Sequence, residues 1–236
     1  QIMKKTFLIS SLLVTALLPP SFAQTKHVLT IKANQPVADI QPTMWGIFFE
    51  DINLGADGGI YAELVKNRSF EFFKPLMGWK IQQPLRENEP MAALTSPIII
   101  VNRKEQNSAN PRFIRVTVDN VSKGNLGLTN EGFRGMGIKK DLHYDFSMMY
   151  RQASPGVKLH IELVDSAGKF LGGTTVVPNE QGAAWHKIAA NFTASETVLK
   201  AKMNIWFEGN GVIDLDMISL FPTDTWKNRP GGMRAD

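Results

Sequence analysis

Leu142-His-Tyr-Asp-Phe-Ser-Met-Met-Tyr150 decides the fold class, because Leu142, Tyr144, Phe146, Met148 and Tyr150 fall on alternate positions. A period of two sends one set of side chains to one face of a strand, so that one face is buried and the other solvated. The pattern recurs at Val157, Leu159, Ile161 and Leu163, and at Leu199, Ala201, Met203, Ile205 and Phe207. Shorter versions occur at Ile114, Val116 and Val118 and at Ile213 and Leu215. Apolar runs at Gly78–Ile81, Pro97–Val101 and Ala184–Phe192 bring the expected count to roughly eight or nine strands, enough for a jelly roll. Such strands, separated by Gly/Pro/Asn loops, predict an antiparallel β-sandwich.

Upstream the pattern changes. Met44-Trp-Gly-Ile-Phe-Phe-Glu-Asp-Ile52 is an apolar run that closes on Glu50 and Asp51 and then turns through Gly55, Gly58 and Gly59. Ile60, Tyr61, Leu64 and Val65 follow at the spacing of one helix face. This predicts a strand over 44–52 and a helix over 59–70, one β/α unit of a parallel fold. Carboxylates at the carboxyl end of such a strand are where α/β barrels hold their substrates. Val28–Lys32 reads as a further strand, and Thr223–Asp236 as a loop entering a helix.

Bulk composition narrows the class. The 236 residues are 43% hydrophobic and 20% charged, the balance of a soluble globular protein. Met3-Lys-Lys5, the apolar stretch Phe7–Leu18 and the small-residue pattern Ser21-Phe-Ala23 read as a secretory signal over 1–23. Its apolar core is too short for a membrane-spanning helix, so no membrane association is expected after cleavage. The formal charge of +4 includes Lys4 and Lys5, which lie in that signal. With no basic run interleaved with aromatics, nucleic acid is not an expected partner. Export to the periplasm or beyond fits the signal, and the absence of cysteine leaves core burial or a bound ion to stabilise the fold.

Four stretches carry a family resemblance: Trp45-Gly-Ile-Phe-Phe-Glu-Asp51, Gly58-Gly-Ile-Tyr-Ala-Glu-Leu64, Asn67-Arg-Ser-Phe-Glu71, and Asp214–Pro222 with Arg229–Asp236. Together they resemble the N-terminal part of the α-L-arabinofuranosidases of glycoside hydrolase family 51. The resemblance implies an N-terminal strand leading into a (β/α)8 barrel, with a sugar-binding-type jelly roll inserted after the first unit. The fold expected is therefore mainly β, an antiparallel jelly-roll β-sandwich inserted after the first β/α unit of an incomplete (β/α)8 barrel. Residues 24–74 would supply the N-terminal strand and first unit, 75–222 the jelly roll, and 223–236 the return to the barrel. The chain would then be an N-terminal fragment of an exported retaining enzyme that acts on arabinose-containing plant polysaccharides.

By the resemblance, Glu50 binds hydroxyls of the arabinofuranose beside the bond being cut, a role suited to a carboxylate accepting several charge-assisted hydrogen bonds. Asp51 points the other way on an extended strand and reads as structural. No catalytic residue is assigned: a retaining glycosidase needs two carboxyls about 5 Å apart, and nothing here matches the family's two catalytic glutamates. Glu63 and Glu71 are not substitutes, so the fragment alone is expected to be inactive. No cofactor is expected for catalysis. Jelly rolls of this kind often carry one structural calcium, and Glu71 and Asp216 match its positions by resemblance. Trp206 is out of phase with Met203, Ile205 and Phe207 and is the candidate for stacking on sugar. The four histidines, His27, His143, His160 and His186, make no zinc spacing. A competing reading is a non-catalytic carbohydrate-binding β-sandwich protein, which would have no use for residues 44–69.

Overall fold

The computed structural model describes residues 28–44, 46, 50–51, 54–83, 96–103 and 108–235, in two compact units divided between residues 48 and 49. The signal expected at 1–23 lies outside the described residues, as does most of the strand expected at 44–52. In the first unit, Val28, Leu29 and Ile31 are 79–87% exposed and irregular rather than a strand. Pro42–Met44 forms one 3-10 turn, closed by Met44 N–H donating to the Gln41 carbonyl.

The second unit is mainly β. Its strands are β1 (Trp79–Gln82), β2 (Ile98–Asn102), β3 (Arg112–Val121), β4 (Gly127–Asn130), β5 (Met136–Ile138), β6 (His143–Gln152), β7 (Val157–Val164), β8 (Phe170–Val176), β9 (His186–Thr193) and β10 (Val198–Pro222). Every strand pair is antiparallel. The 25-residue β10 belongs to both layers. Its first half pairs with β4, β5 and β7, giving β1-β4-β10-β7-β8, while its second half pairs with β3 and β6, giving β2-β3-β10-β6-β9.

The crossing between layers is made at Gly209 and Gly211, with φ of +109° and +149°, where the pairing with β3 shifts register. A Cβ on Gly209 would lie 2.0 Å from the Gly156 carbonyl oxygen, so only glycine fits this bend.

The alternation read from sequence packs the interior. Tyr144, Phe146, Met148, Tyr150, Leu159, Ile161, Leu163, Met203, Ile205, Phe207, Ile213 and Leu215 are each at most 2% exposed. The two tyrosine hydroxyls stay satisfied at the core's edge, accepting from Lys139 N–H at 2.9 Å and Glu180 N–H at 3.1 Å. Leu199 departs from the expectation and is 84% exposed. The pairing of β10 with β5 shifts register between Val198 and Ala201, and the shift breaks the two-residue phase.

No helix forms over 59–70. The N–H groups that a helix would use find distant acceptors: Ala62 donates to the Gly232 carbonyl, Leu64 to the Leu220 carbonyl and Lys66 to Asn130 Oδ1. Val65 N–H goes to Glu63 Oε1 instead. Asn67 and Phe70 take left-handed φ of +58° and +60°. The segment therefore lies against the sandwich as turns and bridges, with Tyr61 bridging Met233. The helix expected beyond Thr223 is likewise replaced by a 3-10 turn at Trp226–Asn228 and a bridge from Thr225 to Arg234.

Candidate functional site

Two buried polar side chains, Glu63 and Asn130, fasten residues 54–78 to the sandwich, and a third, Asn67, ties that segment to itself. Glu63 is fully buried; its Oε1 accepts from Val65 and Leu220 N–H at 2.9 and 3.0 Å, and its Oε2 accepts from the Ser219 hydroxyl at 2.5 Å. Burial pushes this carboxyl above its usual range, while those hydrogen bonds and the Arg68 charge pull it back. Asn67 donates to the Pro75 and Met77 carbonyls and accepts from Phe72 N–H. Asn130 both donates to the Lys66 carbonyl and accepts from Lys66 and Gly132 N–H. None of these three was marked by sequence spacing, because their partners are mainly backbone groups, with the Ser219 hydroxyl the one side chain among them.

Glu50 is exposed and lies in irregular backbone, with the residues on its N-terminal side outside the described set. Asp51 is structural, as its Oδ1 accepts from Ala56 N–H at 3.0 Å and closes the glycine turn.

Glu71 and Asp216, from opposite ends of the second unit, come close enough for the Glu71 charge to act on Asp216. Burial first, and then the Glu71 charge, raise the Asp216 carboxyl to about 6, against hydrogen bonds from Met217 N–H and Asn110 Nδ2 that lower it. Asn110 Oδ1 is buried and has no hydrogen-bond partner. Glu71 Oε1 accepts from Arg112 N–H at 2.6 Å, and the Arg112 guanidinium donates to the Phe72 carbonyl at 2.9 Å and lies 3.8 Å from Glu71 Oε2. Two carboxylates and an unsatisfied amide oxygen are the hard oxygen donors calcium takes, so these residues fit such an ion. The neighbouring Arg112 already supplies part of the positive charge. Among the described residues, no three His, Asp or Glu side chains cluster as a metal site, so backbone carbonyls would have to complete the shell.

Trp206 lies on the outer face of the first layer and is half-buried. Its ring rests over Gly127 of β4, where a Cβ would fall 2.5 Å from the indole. On the same face, His160 Nε2 lies 2.9 Å from Glu208 Oε2 and Lys158 Nζ 3.2 Å from Glu208 Oε1.

The outer face of the second layer is built differently. Asp214 sits between β3 and β6 in register with Arg115 and Arg151. Arg115 Nε and Nη2 donate to its two oxygens at 2.7 and 3.0 Å, and Arg151 donates from Nε at 3.1 Å and again from Nη2. Burial alone would raise the Asp214 carboxyl, but the two guanidiniums together hold it below the usual range. The Arg151 guanidinium also stacks 4.8 Å from the centre of the Trp185 ring and 5.1 Å from that of Phe113. Sequence reading did not bring these residues together, since they lie on four strands or loops and meet only in the folded sheet.

No family model matches the chain. It is 36% identical to the extracellular exo-α-L-arabinofuranosidase of Streptomyces chartreusis over 96% of its own length and 26% of that protein's. Against α-L-arabinofuranosidase 1 of Arabidopsis thaliana the identity is 28%, over 84% of this chain and 29% of the relative. The arabinose-bound structure of a family 51 α-L-arabinofuranosidase superposes with a TM-score of 0.60 at 28% identity, covering 80% of this chain and 30% of that one. The chain thus spans about a quarter to a third of the length of these relatives. In sequence and in fold alike, it is similar along most of its length to the N-terminal part of α-L-arabinofuranosidases, one of them a solved family 51 enzyme.

Proposed function

We propose that the chain is the N-terminal part of an exported, retaining α-L-arabinofuranosidase that removes terminal arabinofuranose from plant polysaccharides. The observation that carries this reading is the 36% identity over 96% of the chain to an extracellular arabinofuranosidase more than three times its length. The arabinose-bound relative supports the sugar class. In this reading the two catalytic glutamates come from sequence beyond this chain, and Glu50 accepts hydrogen bonds from substrate hydroxyls. The sandwich supports the barrel and stacks sugar on Trp206. Glu71 and Asp216, with Asn110 Oδ1, would hold one structural calcium, which supplies positive charge between two carboxylates and takes no part in the chemistry.

The test compares the chain alone with the same chain extended by the reading frame downstream of Asp236, on a nitrophenyl α-L-arabinofuranoside and on arabinan. The extended protein should release arabinose and the chain alone none. Glu50→Gln in the extended protein should raise KM and lower kcat/KM by at least about tenfold, the loss expected for a charged contact to substrate. An inactive extended protein, or arabinose release by the chain alone, would overturn the reading.

A further inference from the structure

We infer that the cleft beside Trp185, on the outer face of the second layer, is a binding subsite for a neutral saccharide, separate from Glu50 and from the Trp206 face. The inference rests on the carbohydrate reading above for its choice of sugar probes, and on the cleft itself for its location.

The cleft encloses about 380 Å³ and is lined by Arg103, Asn110, Phe113, Met149, Trp185 and Asp216, among others. That volume lies near the lower end of small-ligand sites, roughly 300–1,000 Å³. Its apolar wall is aromatic: Trp185 meets Phe113 edge-on with ring centres 5.4 Å apart. Trp185 is only half-buried, so part of the indole faces the opening. Sugar rings present a face of C–H groups that packs on such a surface without stranding a hydroxyl.

The polar wall selects among ligand classes. Arg103 lies 5.1 Å from the Phe113 ring centre and forms no ion pair among the described residues, so its guanidinium can donate to a ligand. Asp216, in the lining, is the acceptor. A polyanion entering here would meet Asp216, and a cationic ligand filling the cleft would meet Arg103 and Arg112. An apolar ligand would leave donors and acceptors on both sides unpaired, which costs about 1–3 kcal/mol for each buried group. A hydroxyl both donates and accepts, so a neutral polyol answers both walls at once. The aromatic patch then favours a sugar ring over an open-chain polyol.

The arrangement is also pre-organised. Arg151 is stacked on Trp185 and fixed by Asp214, which is itself fixed by Arg115, so the platform is held in place before any ligand arrives. Binding to such a surface loses little side-chain entropy.

The experiment is calorimetric titration of the whole chain with α-1,5-arabinotriose, β-1,4-xylotriose and, as the charged comparison, trigalacturonate, each with and without EDTA. At least one neutral trisaccharide should bind and trigalacturonate should not. Trp185→Ala should weaken binding by about tenfold or more, and Arg103→Gln by about three- to tenfold, while Trp206→Ala changes it less than about twofold. EDTA should change the affinity less than Trp185→Ala does, because Trp185 and Arg103 lie outside the calcium candidate and the two sites share only Asp216 and Asn110. No binding of either neutral sugar at about 10 mM, or binding of trigalacturonate alone, overturns the inference; so does loss with Trp206→Ala but not with Trp185→Ala. Melting of each variant accompanies the titrations. Should Trp185→Ala fail to fold, the half-exposed Arg103→Gln decides, and unaltered affinity there overturns the proposal. A silent cleft in a protein whose extended form releases arabinose removes only this inference. A binding cleft with an inactive extended form removes the enzyme reading and leaves this one.

Discussion

The two halves of β10 carry similar alternating sequence yet present opposite kinds of outer face. Around Trp206, Glu208 is a third exposed and pairs with the exposed Lys158 and with the His160 ring near the surface. Around Asp214 the carboxylate is 5% exposed, locked between two arginines, and the arginine next to it props a tryptophan at the edge of a cleft. The Glu208 and Asp214 carboxylates are both paired, but only Asp214 is paired at depth, where a missing partner cannot be replaced by water. Depth, not the number of ion pairs, should therefore decide which face matters to stability.

The sharpest way to break this comparison is Asp214→Ala. It leaves Arg151, whose side chain is 11% exposed, without its carboxylate, and should cost about 3–5 kcal/mol in urea unfolding. A loss no larger than that from Glu208→Gln would erase the distinction between the faces. Next comes Gly209→Ala at the crossing between layers, where the added methyl meets backbone at 2.0 Å in a left-handed conformation. A loss of about 1–3 kcal/mol is expected, with unfolding still a single transition because both layers share this strand.

Asp216 sharpens the picture through pH. Its folded-state carboxyl, raised to about 6, holds a proton more tightly than in the unfolded chain. The folded state thus binds more protons between about pH 4 and 6, and stability falls as pH rises through that window, by on the order of 2–3 kcal/mol. Melting temperature measured against pH in EDTA should show that decline. Asp216→Asn should remove it and raise stability at pH 7. Millimolar calcium should flatten the wild-type decline by keeping Asp216 ionised. Wild-type curves that are identical with calcium and with EDTA would end the cation proposal. The smallest effect belongs to Glu208→Gln: its carboxylate is a third exposed and reached by solvent, and the variant's melting temperature should match the wild type within error at 0.15 M salt.

Strand periodicity was legible because it is local. Tyr144 to Tyr150 and Val157 to Leu163 need only their own spacing to announce a buried face, and those side chains are buried. Trp206 could be placed outside the core for the same reason. The helix expected over 59–70 does not form, and of its expected apolar face only Val65 is fully buried, while Ile60 and Tyr61 are each 44% exposed. What spacing could not disclose was the competition for backbone N–H groups. Leu64 finds the Leu220 carbonyl and Ala62 the Gly232 carbonyl, acceptors that exist only once β10 and the residues after it have folded back.

The amino-acid order by itself thus determined the antiparallel, mainly β architecture, the inward set of side chains and the family to which the chain is related. The tertiary structure alone decided where single polar groups act: Glu63 as a buried fastener, Asp214 between two arginines, and Trp185 beside a cleft. The physical reason is range. Alternation is set by neighbours two residues away, whereas the Asp214 and Glu63 contacts join residues 63 to 157 positions apart, through a register that no local pattern encodes.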